Sequence, residues 1–475
     1  MSDPLTPDLC VVGAGSAGLA IAAGAQQMGA ETVLVEKGRM GGDCLNTGCV
    51  PSKALLAAGK AARAHVAAAN YGVTYPEPKI DFQAVHDHVH GVIAGIAPHD
   101  SVERFEGLGV TVIQAAARFT GPRELEAGGR RIRARRFVLA TGSTAAVPPI
   151  PGIEDVPYVT NETVFDLTEC PEHLIVVGGG PIGTELGQAF RNLGAQVTIV
   201  EMDKLLPRDD PELVEVLRRR LMEDGVDLRE GAQVKAVARD GSGVAATIER
   251  DGRKERLQGS HLLLAAGRRT VIDGLNLEAA GIAHERGRLQ VDARLRTSNT
   301  RVFAAGDVAG GPQFTHVAGY HAGVVIKNAL FRIPAKADHS AVPQVTYTAP
   351  ELAQVGLSEA AARAAHGDGV QTLTWSYGDN DRAMAEREGD GQIKAVVDRK
   401  GRVLGCGIVG AHAGELIYPW VLAVARREKV GPIAQMIAPY PTFGEVSKRA
   451  AGSFYTPKLF SPRTRRLVRL LARLG

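Results

Sequence analysis

The chain is poor in several features that mark particular classes of protein. Aromatic residues make up only 5% of its 475 residues, which argues against a stacking platform for single-stranded nucleic acid. It has five cysteines, too few for a disulfide scaffold in a chain long enough to bury a core without staples. Disorder is excluded as well, because hydrophobic residues reach 45% and charged residues 23%, the usage of ordinary globular proteins.

Net charge is small, at +3, and it is unevenly distributed. Six basic residues lie within residues 458–475, where there is no acid, so the other 457 residues carry a net charge of −3. The body of the protein therefore has no nucleic-acid footprint. Residues 1–8 contain two aspartates and no Lys or Arg, unlike a signal peptide. We expect a cytoplasmic protein whose cysteines serve catalysis or packing.

An uncharged run of 22 residues, Leu9–Ala30, is long enough to resemble a membrane span. Its glycines and the polar pair Gln26-Gln27 argue against that interpretation. Glycine is abundant along the whole chain, with 56 residues. This predicts many tight turns and close backbone approaches, as nucleotide-binding proteins need.

The same run opens an internal repeat. Leu9–Gly18 (LCVVGAGSAG) recurs 165 residues later as Leu174–Gly183 (LIVVGGGPIG), and the register holds as far as Val35-Glu36 and Val200-Glu201. Each copy reads as an apolar strand, a glycine turn, an alanine-rich helix and a strand that ends in glutamate. This pattern predicts two βαβ units with parallel sheets.

Each copy carries the glycine pattern of a dinucleotide site, followed by an acid 23 residues after the first glycine. The positions are Gly13, Gly15, Gly18 and Glu36 in the first copy, and Gly178, Gly180, Gly183 and Glu201 in the second. The glycines let the backbone approach a pyrophosphate, the helix N-terminus faces the phosphates, and the acid accepts from a ribose hydroxyl. We expect two bound dinucleotides rather than glycines that serve only helix–strand packing.

Further strands end in glycine turns, and the pattern changes near Pro343. The strand-and-turn segments are Phe137–Ser143, Leu262–Arg268 and Arg301–Asp307, and the Pro-rich Pro148–Pro151 marks a boundary. Beyond Pro343 we predict a separate α+β domain, with strands at Val345–Thr348, Gln392–Val397 and Val403–Cys406.

Cys44 and Cys49 follow the first unit. Five residues apart on an ideal helix, they lie too far apart for a disulfide, which needs Cα atoms within about 7 Å. The intervening Asn46-Thr47-Gly48 can tighten the turn, and Pro51 suits the first position of a helix. With no second pair or nearby histidine they make a poor zinc site. A redox disulfide beside a bound dinucleotide fits better.

Together these motifs resemble the class I pyridine nucleotide-disulfide oxidoreductases, which include dihydrolipoamide dehydrogenase, glutathione reductase and mercuric reductase. They follow the family order along nearly the whole chain: Gly13–Gly18, Gly42–Lys53, Ala140–Ser143, Gly178–Glu185, Ala266–Arg268, Ala305–Asp307 and Val345–Thr348. The resemblance implies an α/β fold with two doubly wound FAD/NAD(P)-binding domains and a C-terminal α+β dimerisation domain.

The resemblance also implies a division of the chain. Residues 1–150 form the first part of the FAD domain, 151–272 the NAD(P) domain, 273–342 a central region that completes the FAD domain, and 343–475 the dimerisation domain. The protein would be a homodimer with one FAD in each subunit.

In the first unit the resemblance places Glu36 on the adenosine ribose, the Ala117 backbone against the adenine and Asp307 on the ribityl chain. Lys53 would approach the flavin and pair with Glu185. The other implied cofactor-binding residues are Ser16, Ala17, Lys37, Gly42, Asp43, Thr141, Gly142, Ser143, Pro181, Ile182, Gly267, Arg268, Gly306, Phe314, Thr315 and His316.

The second unit would hold the nicotinamide nucleotide. Glu201 favours NADH over NADPH, because a carboxylate repels a 2′-phosphate. Use of NADPH is the alternative, since Lys204 and Arg208 follow closely.

The implied electron flow runs from NADH through flavin to the Cys44–Cys49 disulfide. Cys49 would face the flavin as a charge-transfer thiolate, and Cys44 would be the outer thiol that meets the acceptor. Cys10, Cys170 and Cys406 are interpreted as packing residues.

The chain departs from the family pattern at the C-terminal His-Pro-Thr-x-x-Glu motif, which supplies an acid–base histidine from the partner subunit. Here Tyr440 takes the place of that histidine, with Glu445 retained. Tyrosine, with a reference pKa near 10, is about 0.1% ionised at pH 7. We therefore expect poor oxidation of dihydrolipoamide.

Mercuric reductases also have tyrosine at this place, but they carry a C-terminal cysteine pair. This chain has no cysteine after Cys406, so efficient mercury handover is not expected either. Asp43 stands where the family usually has threonine, and the sequence explains no role for it.

Two other features, a run of alternating histidines and a basic tail, also have plain structural explanations. His86, His88 and His90 alternate, but Phe82–Ile96 is predicted to be a helix on which residues two apart diverge, so a solvated surface is favoured and no metal site is assigned. Residues 461–475 form a basic amphipathic helix, with leucines on one side and arginines opposite. It would make weak contact with an anionic membrane, or dock on the body or the dimer partner.

We therefore predict an NADH-dependent, FAD-containing oxidoreductase that passes electrons through Cys44–Cys49 to a small-molecule or protein disulfide, a metal ion or a quinone. The alternative is a slow-turnover flavin redox sensor or membrane-associated binding protein. The two cysteines favour the enzyme.

Overall fold

The computed structural model describes residues 3–474; residues 1, 2 and 475, which the predicted domain ranges include, lie outside this description. The chain divides into two compact units. The first contains residues 3–62, 77–202 and 228–339. The second contains residues 63–76, 203–227 and 340–474.

The helices are numbered in chain order. They are α1 (Ser16–Gln27), α2 (Gly42–Asn46), α3 (Cys49–Ala69), α4 (Phe82–Ile96), α5 (Val102–Gly107), α6 (Pro181–Asn192), α7 (Pro211–Glu223), α8 (Thr315–Ala329), α9 (Glu359–His366), α10 (Asp381–Ala385), α11 (Ala413–Leu416), α12 (Tyr418–Ala425), α13 (Gly431–Gln435), α14 (Glu445–Ser453), α15 (Thr456–Leu459) and α16 (Pro462–Leu471).

The strands are numbered in the same way. They are β1 (Leu9–Val12), β2 (Thr32–Glu36), β3 (Thr111–Gln114), β4 (Ala117–Gly121), β5 (Glu124–Ala127), β6 (Arg130–Ile132), β7 (Arg136–Leu139), β8 (Ser143–Ala145), β9 (His173–Val177), β10 (Gln196–Glu201), β11 (Asp227–Glu230), β12 (Gln233–Asp240), β13 (Gly243–Arg250), β14 (Arg253–Gly259), β15 (His261–Leu264), β16 (Arg268–Thr270), β17 (His284–Glu285), β18 (Arg288–Leu289), β19 (Val302–Ala304), β20 (Gln344–Thr346), β21 (Glu351–Gly356), β22 (Gln371–Ser376), β23 (Gln392–Val397) and β24 (Val403–Gly410).

The first repeat forms part of a parallel sheet in the first unit, with strand order β19-β7-β1-β2-β3. Its strands β1, β2, β7 and β19 are mostly apolar and buried, as expected when helices cover both faces of a parallel sheet, whereas the edge strand β3 is partly exposed. The helices α1 and α8 pack against each other beside it. This arrangement brings the carboxyl ends of β1, β7 and β19, which are distant in sequence, to the same edge of the sheet.

The second repeat builds a sheet of order β11-β10-β9-β15, in which β9 pairs in parallel with β10 and β15. An antiparallel sheet of β12, β13 and β14 packs near it. A second antiparallel sheet, of β4, β5 and β6, lies on the side of the first repeat. Both repeats thus have the predicted strand–helix–strand form.

The second unit contains an antiparallel sheet of order β20-β21-β24-β23-β22. The helices α7 and α14 pack on it, and Trp420 and Tyr377 fill its core. Lys394 of β23 is buried there among Asp210, Glu212 and Glu359, at 3.1, 3.0 and 2.7 Å. A buried lysine needs such partners, and these carboxylates fasten α7 and α9 to the sheet.

The fold confirms the predicted α/β class with an α+β domain at the C-terminal end. The predicted helix Phe82–Ile96 is confirmed as α4. The strand predicted at Val345–Thr348 is one residue out of place and shorter, because β20 ends at Thr346. Pro51 was expected to begin a helix, but α3 begins at Cys49. Proline is tolerated there since the first-turn amides have no helical partner.

Candidate active site

The two predicted glycine turns are built alike. Gly13 has φ +105° and Gly178 has φ +113°. A Cβ at Gly13 would lie 2.4 Å from the carbonyl oxygen of Ala140, and one at Gly178 would lie 2.5 Å from that of Ala265. Only glycine combines this backbone conformation with so close an approach between neighbouring strands.

The third glycine of each turn lets the helix pack onto the strand. A Cβ at Gly18 would lie 1.8 Å from the Gly13 carbonyl oxygen, and one at Gly183 would lie 2.0 Å from that of Gly178. The middle glycine, Gly15 or Gly180, is the residue that precedes the helix, and no side chain caps either helix.

The first turns of α1 and α6 contain Ser16, Ala17, Pro181 and Ile182 and no acid. First-turn amides lack intrahelical acceptors and carry the positive end of the helix dipole. Each helix therefore presents an anion-binding terminus where the sequence predicts a pyrophosphate.

Both predicted ribose acids lie against their own glycine turn. The Glu36 carboxylate accepts from the backbone N–H groups of Ala14 and Gly38, each at 2.6 Å. The Glu201 carboxylate accepts from the Gly179 N–H, also at 2.6 Å. Each acid is thereby held at the carboxyl end of its strand. Lys37, beside Glu36, is exposed.

The backbone around these turns leaves room for a bound group. Added Cβ atoms at Gly142, Gly180 and Gly267 would meet nothing within 4 Å, and one at Gly15 would meet only the Gly42 Cα, at 3.9 Å. Such glycine-lined open spaces beside a helix N-terminus fit the pyrophosphates of FAD and of a pyridine nucleotide.

Cys44 and Cys49 are brought together by a break between two helices. Cys44 lies in α2, which ends at Asn46, and Cys49 is the first residue of α3. The Asn46 side chain donates to the carbonyl oxygens of Met40 and Gly42, at 3.0 and 2.8 Å. The two thiols lie close enough for each to shift the pKa of the other. The expected tightening of the turn therefore occurs through a helix break.

The two thiols differ in acidity. The hydrogen bond from Cys44 lowers the pKa of Cys49 to about 6, with support from the Thr315 hydroxyl and the charge of Lys53. The same hydrogen bond and burial raise the pKa of Cys44. Because Cys49 opens α3, the helix dipole also favours its thiolate. In the reduced pair, Cys49 is therefore the thiolate and Cys44 the thiol.

Thr315 contacts the pair from a segment distant in sequence. Its Oγ1 lies 3.3 Å from the Cys49 sulfur, and it is the first residue of α8. On either side of it, the Phe314 and His316 rings stack with centroids 5.1 Å apart. The sequence predicted all three as cofactor-binding residues; the thiol contact of Thr315 was missed, and no local pattern points to it.

The ion pair that the resemblance implies between Lys53 and Glu185 is present. The Lys53 ammonium lies 2.7 Å from a Glu185 carboxylate oxygen, and Glu185 is 7% exposed. Lys53 stands one turn after Cys49 in α3, and Glu185 lies in α6 of the second repeat. This pair connects the redox pair's helix with the second glycine turn's helix.

Asp43, which the sequence left unexplained, takes part in a charged network. One of its carboxylate oxygens accepts from the Thr47 hydroxyl at 2.9 Å and from the Asn161 amide at 3.1 Å. The other lies 3.1 Å from the Arg268 guanidinium. Asp43 therefore holds the break between α2 and α3 and anchors Arg268. Asn161 was not predicted.

Arg268 extends this network to the predicted flavin side. It donates to the Ser143 hydroxyl at 2.8 Å and to the Ser143 carbonyl oxygen at 3.0 Å. The Ser143 hydroxyl donates in turn to Asp307. Burial raises the pKa of Asp307. The arrangement holds the side chains of Ser143 and Asp307 together on the predicted flavin side.

The remaining predicted cofactor residues lie at strand ends in the first unit. Ala117 begins β4 and is buried. The Thr141 hydroxyl donates to the Val271 carbonyl oxygen. The Gly306 N–H donates to Nδ1 of the buried His321 at 3.2 Å, a contact that the sequence did not indicate.

A groove of about 410 Å³ opens beside Cys49, between α3 and α4. It is lined by Cys49, Val50, Lys53, Ala54, Ala57, His88, Val92 and Ile96. The thiol, the ammonium and one imidazole are its polar groups, and the rest of the lining is apolar. The groove gives a small molecule access to the thiolate.

Tyr440 and Glu445 belong to the second unit. The Tyr440 side chain is 69% exposed, and its hydroxyl donates to Asp381 at 2.8 Å. That hydrogen bond raises the pKa of Tyr440, with smaller contributions from the charges of Asp381 and Glu445. Glu445 opens α14 beside Arg449. Tyr440 is thus even less able to act as a base than a free tyrosine.

The tail helix α16 is exposed all round. The side chains of Leu467, Leu470, Leu471 and Leu474 are 53–78% exposed. The predicted alternative that this helix docks on its own chain is therefore wrong, because its apolar side stays uncovered.

Membrane crossing and metal binding can be considered over the described residues. None of the helices within residues 3–474 combines the length and apolarity that a membrane-crossing helix needs. Over the same residues, no set of three or more His, Cys, Asp or Glu side chains is arranged to hold a metal ion.

Two dinucleotide-type turns, a pair of interacting cysteine thiols beside one of them and a lysine–glutamate bridge to the other define a flavin- and nicotinamide-dependent disulfide reductase class. Residues 7–322 match the pyridine nucleotide-disulphide oxidoreductase family, and residues 342–451 match its dimerisation domain. The chain belongs to this family. The second match supports the predicted homodimer.

Individual relatives cover nearly the whole chain. A mercuric reductase from Streptomyces lividans is 36% identical over 455 residues, 94% of this chain and 96% of the relative. A dihydrolipoyl dehydrogenase from Thermus scotoductus is 35% identical over 475 residues, 95% and 98% respectively. The Cu(II) complex of the flavoprotein disulfide reductase RclA from Escherichia coli is similar in structure, with TM-score 0.82, 28% identity and coverage of 92% and 98%.

These findings confirm the predicted class. The protein is an FAD-dependent NAD(P)H oxidoreductase of the disulfide reductase family. FAD and a pyridine nucleotide are its cofactors, and the glycine-lined spaces described above fit both.

Proposed function

We propose that the protein transfers electrons from NADH through the Cys44–Cys49 pair to a thiophilic metal ion, with Cu²⁺ as the acceptor to test first. We retain the predicted domain ranges, the predicted site residues and a cytoplasmic location as parts of this proposal. The preference for a metal ion over a dithiol rests on Tyr440, because this tyrosine replaces the base that dithiol oxidation needs.

The cofactor residues would divide between the two glycine turns. Gly13, Gly15, Glu36, Ser143 and Asp307 would hold FAD, and the second turn would hold the nicotinamide nucleotide. When bound, FAD supplies the electron pair that NADH provides and that opens the Cys44–Cys49 disulfide.

The chain's own groups handle the thiol chemistry. Lys53, at one end of its ion pair with Glu185, stabilises negative charge on Cys49, and the Thr315 hydroxyl donates to the same sulfur. Cys44 keeps its proton at neutral pH and is the thiol from which the acceptor is reduced. The groove beside Cys49 gives a small molecule access to the thiolate from one side.

The proposed reaction balances without a further reagent. The Cys44 thiol and the Cys49 thiolate form one disulfide bond and release two electrons and one proton. The electrons reduce two Cu²⁺ to two Cu⁺, and the proton passes to water. A metal ion that binds sulfur directly displaces the thiol proton itself, so this acceptor does not require a base with a pKa near neutrality.

A dithiol substrate has the opposite requirement. Its protons must be removed before it attacks the disulfide, and a placed base typically contributes 10²–10⁴-fold. The hydrogen bond to Asp381 keeps Tyr440 protonated. Similarity to mercuric reductases and to a structure with bound Cu(II) supports a metal acceptor further.

The test is a panel of acceptors with the intact, FAD-loaded dimer, in which Cu²⁺, a glutathione-type disulfide, dihydrolipoamide and a quinone are compared. We expect NADH-dependent Cu²⁺ reduction that is lost in Cys44→Ser, together with slow dihydrolipoamide oxidation. Tyr440→His should raise the dihydrolipoamide rate at least about tenfold, the lower part of what a placed base contributes. Tyr440→Phe is the matched control and should not raise it.

Dihydrolipoamide oxidation by the unmodified protein at about 10–10³ per second, the rate of an efficient enzyme, would contradict the proposal. So would Cu²⁺ reduction that survives Cys44→Ser.

We propose NADH as the preferred nucleotide. Glu201 lies at the carboxyl end of β10 with its carboxylate held by the Gly179 N–H. A negative charge fixed there would repel a 2′-phosphate.

The tail supports one additional proposal, weak attachment to an anionic membrane surface. The helix α16 has no acid, carries arginines on one side and leaves its leucines exposed on the other. Such a helix lies in the interface of a membrane that contains anionic lipid.

Vesicle sedimentation tests this attachment. Intact protein should sediment with vesicles that contain phosphatidylserine and not with purely zwitterionic ones, and deletion of residues 461–475 should abolish sedimentation while flavin reduction by NADH persists. Absence of binding by the intact protein would support docking on the dimer partner instead.

A further inference from the structure

Two histidines of α4, His86 and His90, form a pair one helical turn apart. Their rings face each other, with centroids 4.2 Å apart and planes tilted by 41°. Residues four apart share one face of a helix, whereas residues two apart do not. His88 accordingly lines the groove beside Cys49, away from this pair.

Hydrogen bonding sets the tautomer of His86. Its Nδ1 lies 3.0 Å from a carboxylate oxygen of Asp87. The Gln83 amide nitrogen, a donor, also lies 3.4 Å from this Nδ1. The shorter contact is with a carboxylate, which when ionised can only accept, so it favours the tautomer in which Nδ1 carries the proton and Nε2 keeps a lone pair. The Gln83 amide donates to the same Asp87 oxygen at 2.8 Å and holds it in place.

The tautomer of His90 is set in the same way. Its Nε2 lies 3.1 Å from the carbonyl oxygen of Phe165 and 3.7 Å from a carboxylate oxygen of Asp166. Both neighbours are acceptors, so Nε2 carries the proton and Nδ1 keeps the lone pair. Each ring therefore offers one basic nitrogen, and the opposite nitrogen of each ring is occupied.

We propose that His86 Nε2 and His90 Nδ1 form a bidentate site for a divalent transition-metal ion, in particular Cu²⁺, separate from the cysteine pair. Two histidines four apart on a helix are a known chelating arrangement. Histidines that bind metals characteristically donate their other N–H to a carboxylate or a carbonyl, as both do here.

Imidazole nitrogen suits Cu²⁺, Ni²⁺ and Zn²⁺, and affinity for such a site is highest for Cu²⁺. Since no third side chain in residues 3–474 completes a metal-binding group, water fills the other coordination positions. The site binds an ion without electron transfer, so it does not depend on the acceptor proposed above.

The experiment uses the FAD-loaded dimer with Cys44→Ser and Cys49→Ser, so that the thiols neither bind nor reduce the metal. Calorimetric titration with CuCl₂ and NiCl₂ should give one site in each chain, with Cu²⁺ bound more tightly. The electron paramagnetic resonance spectrum of bound Cu²⁺ should show nitrogen ligands.

Variants on the same helix then locate the ion. His86→Ala and His90→Ala should each lower Cu²⁺ affinity by at least about tenfold, and Asp87→Asn, which retains both rings, by about tenfold. His88→Ala is the matched control and should bind as the parent does. FAD content measures folding in every variant.

Unchanged affinity in His86→Ala combined with His90→Ala would overturn the proposal. A loss in His88→Ala as large as that in His86→Ala would also overturn it, as would tighter binding of Ni²⁺ than of Cu²⁺.

Discussion

The two glycine turns of the repeat have nearly the same backbone conformation and local contacts, yet their surroundings differ. Both have a first glycine with φ near +110°, a third glycine in contact with the first, and an acid bound to a turn amide at 2.6 Å. The helix that follows each turn has twelve residues. Locally, either turn is suited to either dinucleotide.

The difference lies in what covers the middle glycine. The segment with the redox cysteines runs over the first turn: the Gly41 N–H donates to the Ala14 carbonyl oxygen at 2.9 Å. A Cβ at Gly42 would lie 2.6 Å from the Gly15 Cα. At the second turn, an added Cβ at Gly180 meets nothing within 4 Å.

This contrast matches the roles that we propose for the two sites. A covered turn suits a cofactor that remains bound beside the cysteines, and an open turn suits a nucleotide that must bind and leave in every cycle. The repeat thus supplies one binding device twice, and the flanking segment determines which copy retains its ligand.

The largest expected effect comes from filling the middle glycine of each turn. Gly15→Val should yield protein that lacks FAD, because its methyl groups would fill the space between the turn and Gly42, where an added Cβ lies 3.9 Å from the Gly42 Cα. Gly180→Val should remain yellow and bind NADH about 30-fold more weakly, since contact with a helix terminus contributes up to about 2 kcal/mol. Absorbance spectra and NADH titration measure both. Equal loss of FAD in the two variants would contradict the proposed difference between the two glycine turns.

An intermediate effect is expected at the acids. Glu201→Gln should raise the NADH concentration needed for flavin reduction about tenfold, because a hydrogen bond to a charged group contributes 1.5–3 kcal/mol, and should narrow the preference for NADH over NADPH. Glu36→Gln is the matched variant in the first repeat and should weaken FAD binding with the nucleotide preference unchanged. Stopped-flow flavin reduction measures the ratio. A stronger preference for NADH over NADPH in Glu201→Gln would contradict the proposal that Glu201 selects NADH.

The smallest effect concerns the thiolate beside the covered turn. The pKa of Cys49 is lowered to about 6, so its thiolate fraction rises as the pH increases through this value. Thr315→Val removes one hydrogen bond, about 1 kcal/mol, and should raise the pKa of Cys49 by less than about one unit. Alkylation of the reduced enzyme by iodoacetamide at pH 6 should then slow severalfold.

Thr315→Ser retains the hydroxyl and should alkylate like the parent. An unchanged pH profile in Thr315→Val would show that the Thr315 hydroxyl does not contribute to the acidity of Cys49.

Local patterns predicted those parts of the site that depend on backbone geometry. The glycines of both turns could be read from spacing because their conformations and contacts admit no side chain. Glu36 and Glu201 followed from their place at strand ends, and α4 from its periodicity. In contrast, the start of α3 at Cys49 was missed, since Pro51 marks a first turn without specifying its first residue.

Contacts between distant segments could not be predicted in the same way. The hydroxyl that contacts Cys49 lies 266 residues further along, and the amide that holds Asp43 lies 118 residues further. The first of these contacts depends on the parallel sheet, because β7 lies beside β1, and β19, which precedes the helix that Thr315 begins, lies beside β7. Hydrophobic periodicity specifies that such strands are buried, and it carries no information about which strand is whose neighbour.

The sequence by itself determined the two dinucleotide turns, the cysteine pair and the absence of a histidine at Tyr440, because each depends on residue type and short-range spacing. The tertiary structure alone decided which thiol is acidic, what Asp43 holds and which glycine turn is covered. Those properties depend on hydrogen bonds and charges between residues that the fold brings together: 27 residues separate Ala14 from Gly41, 118 separate Asp43 from Asn161, and 266 separate Cys49 from Thr315.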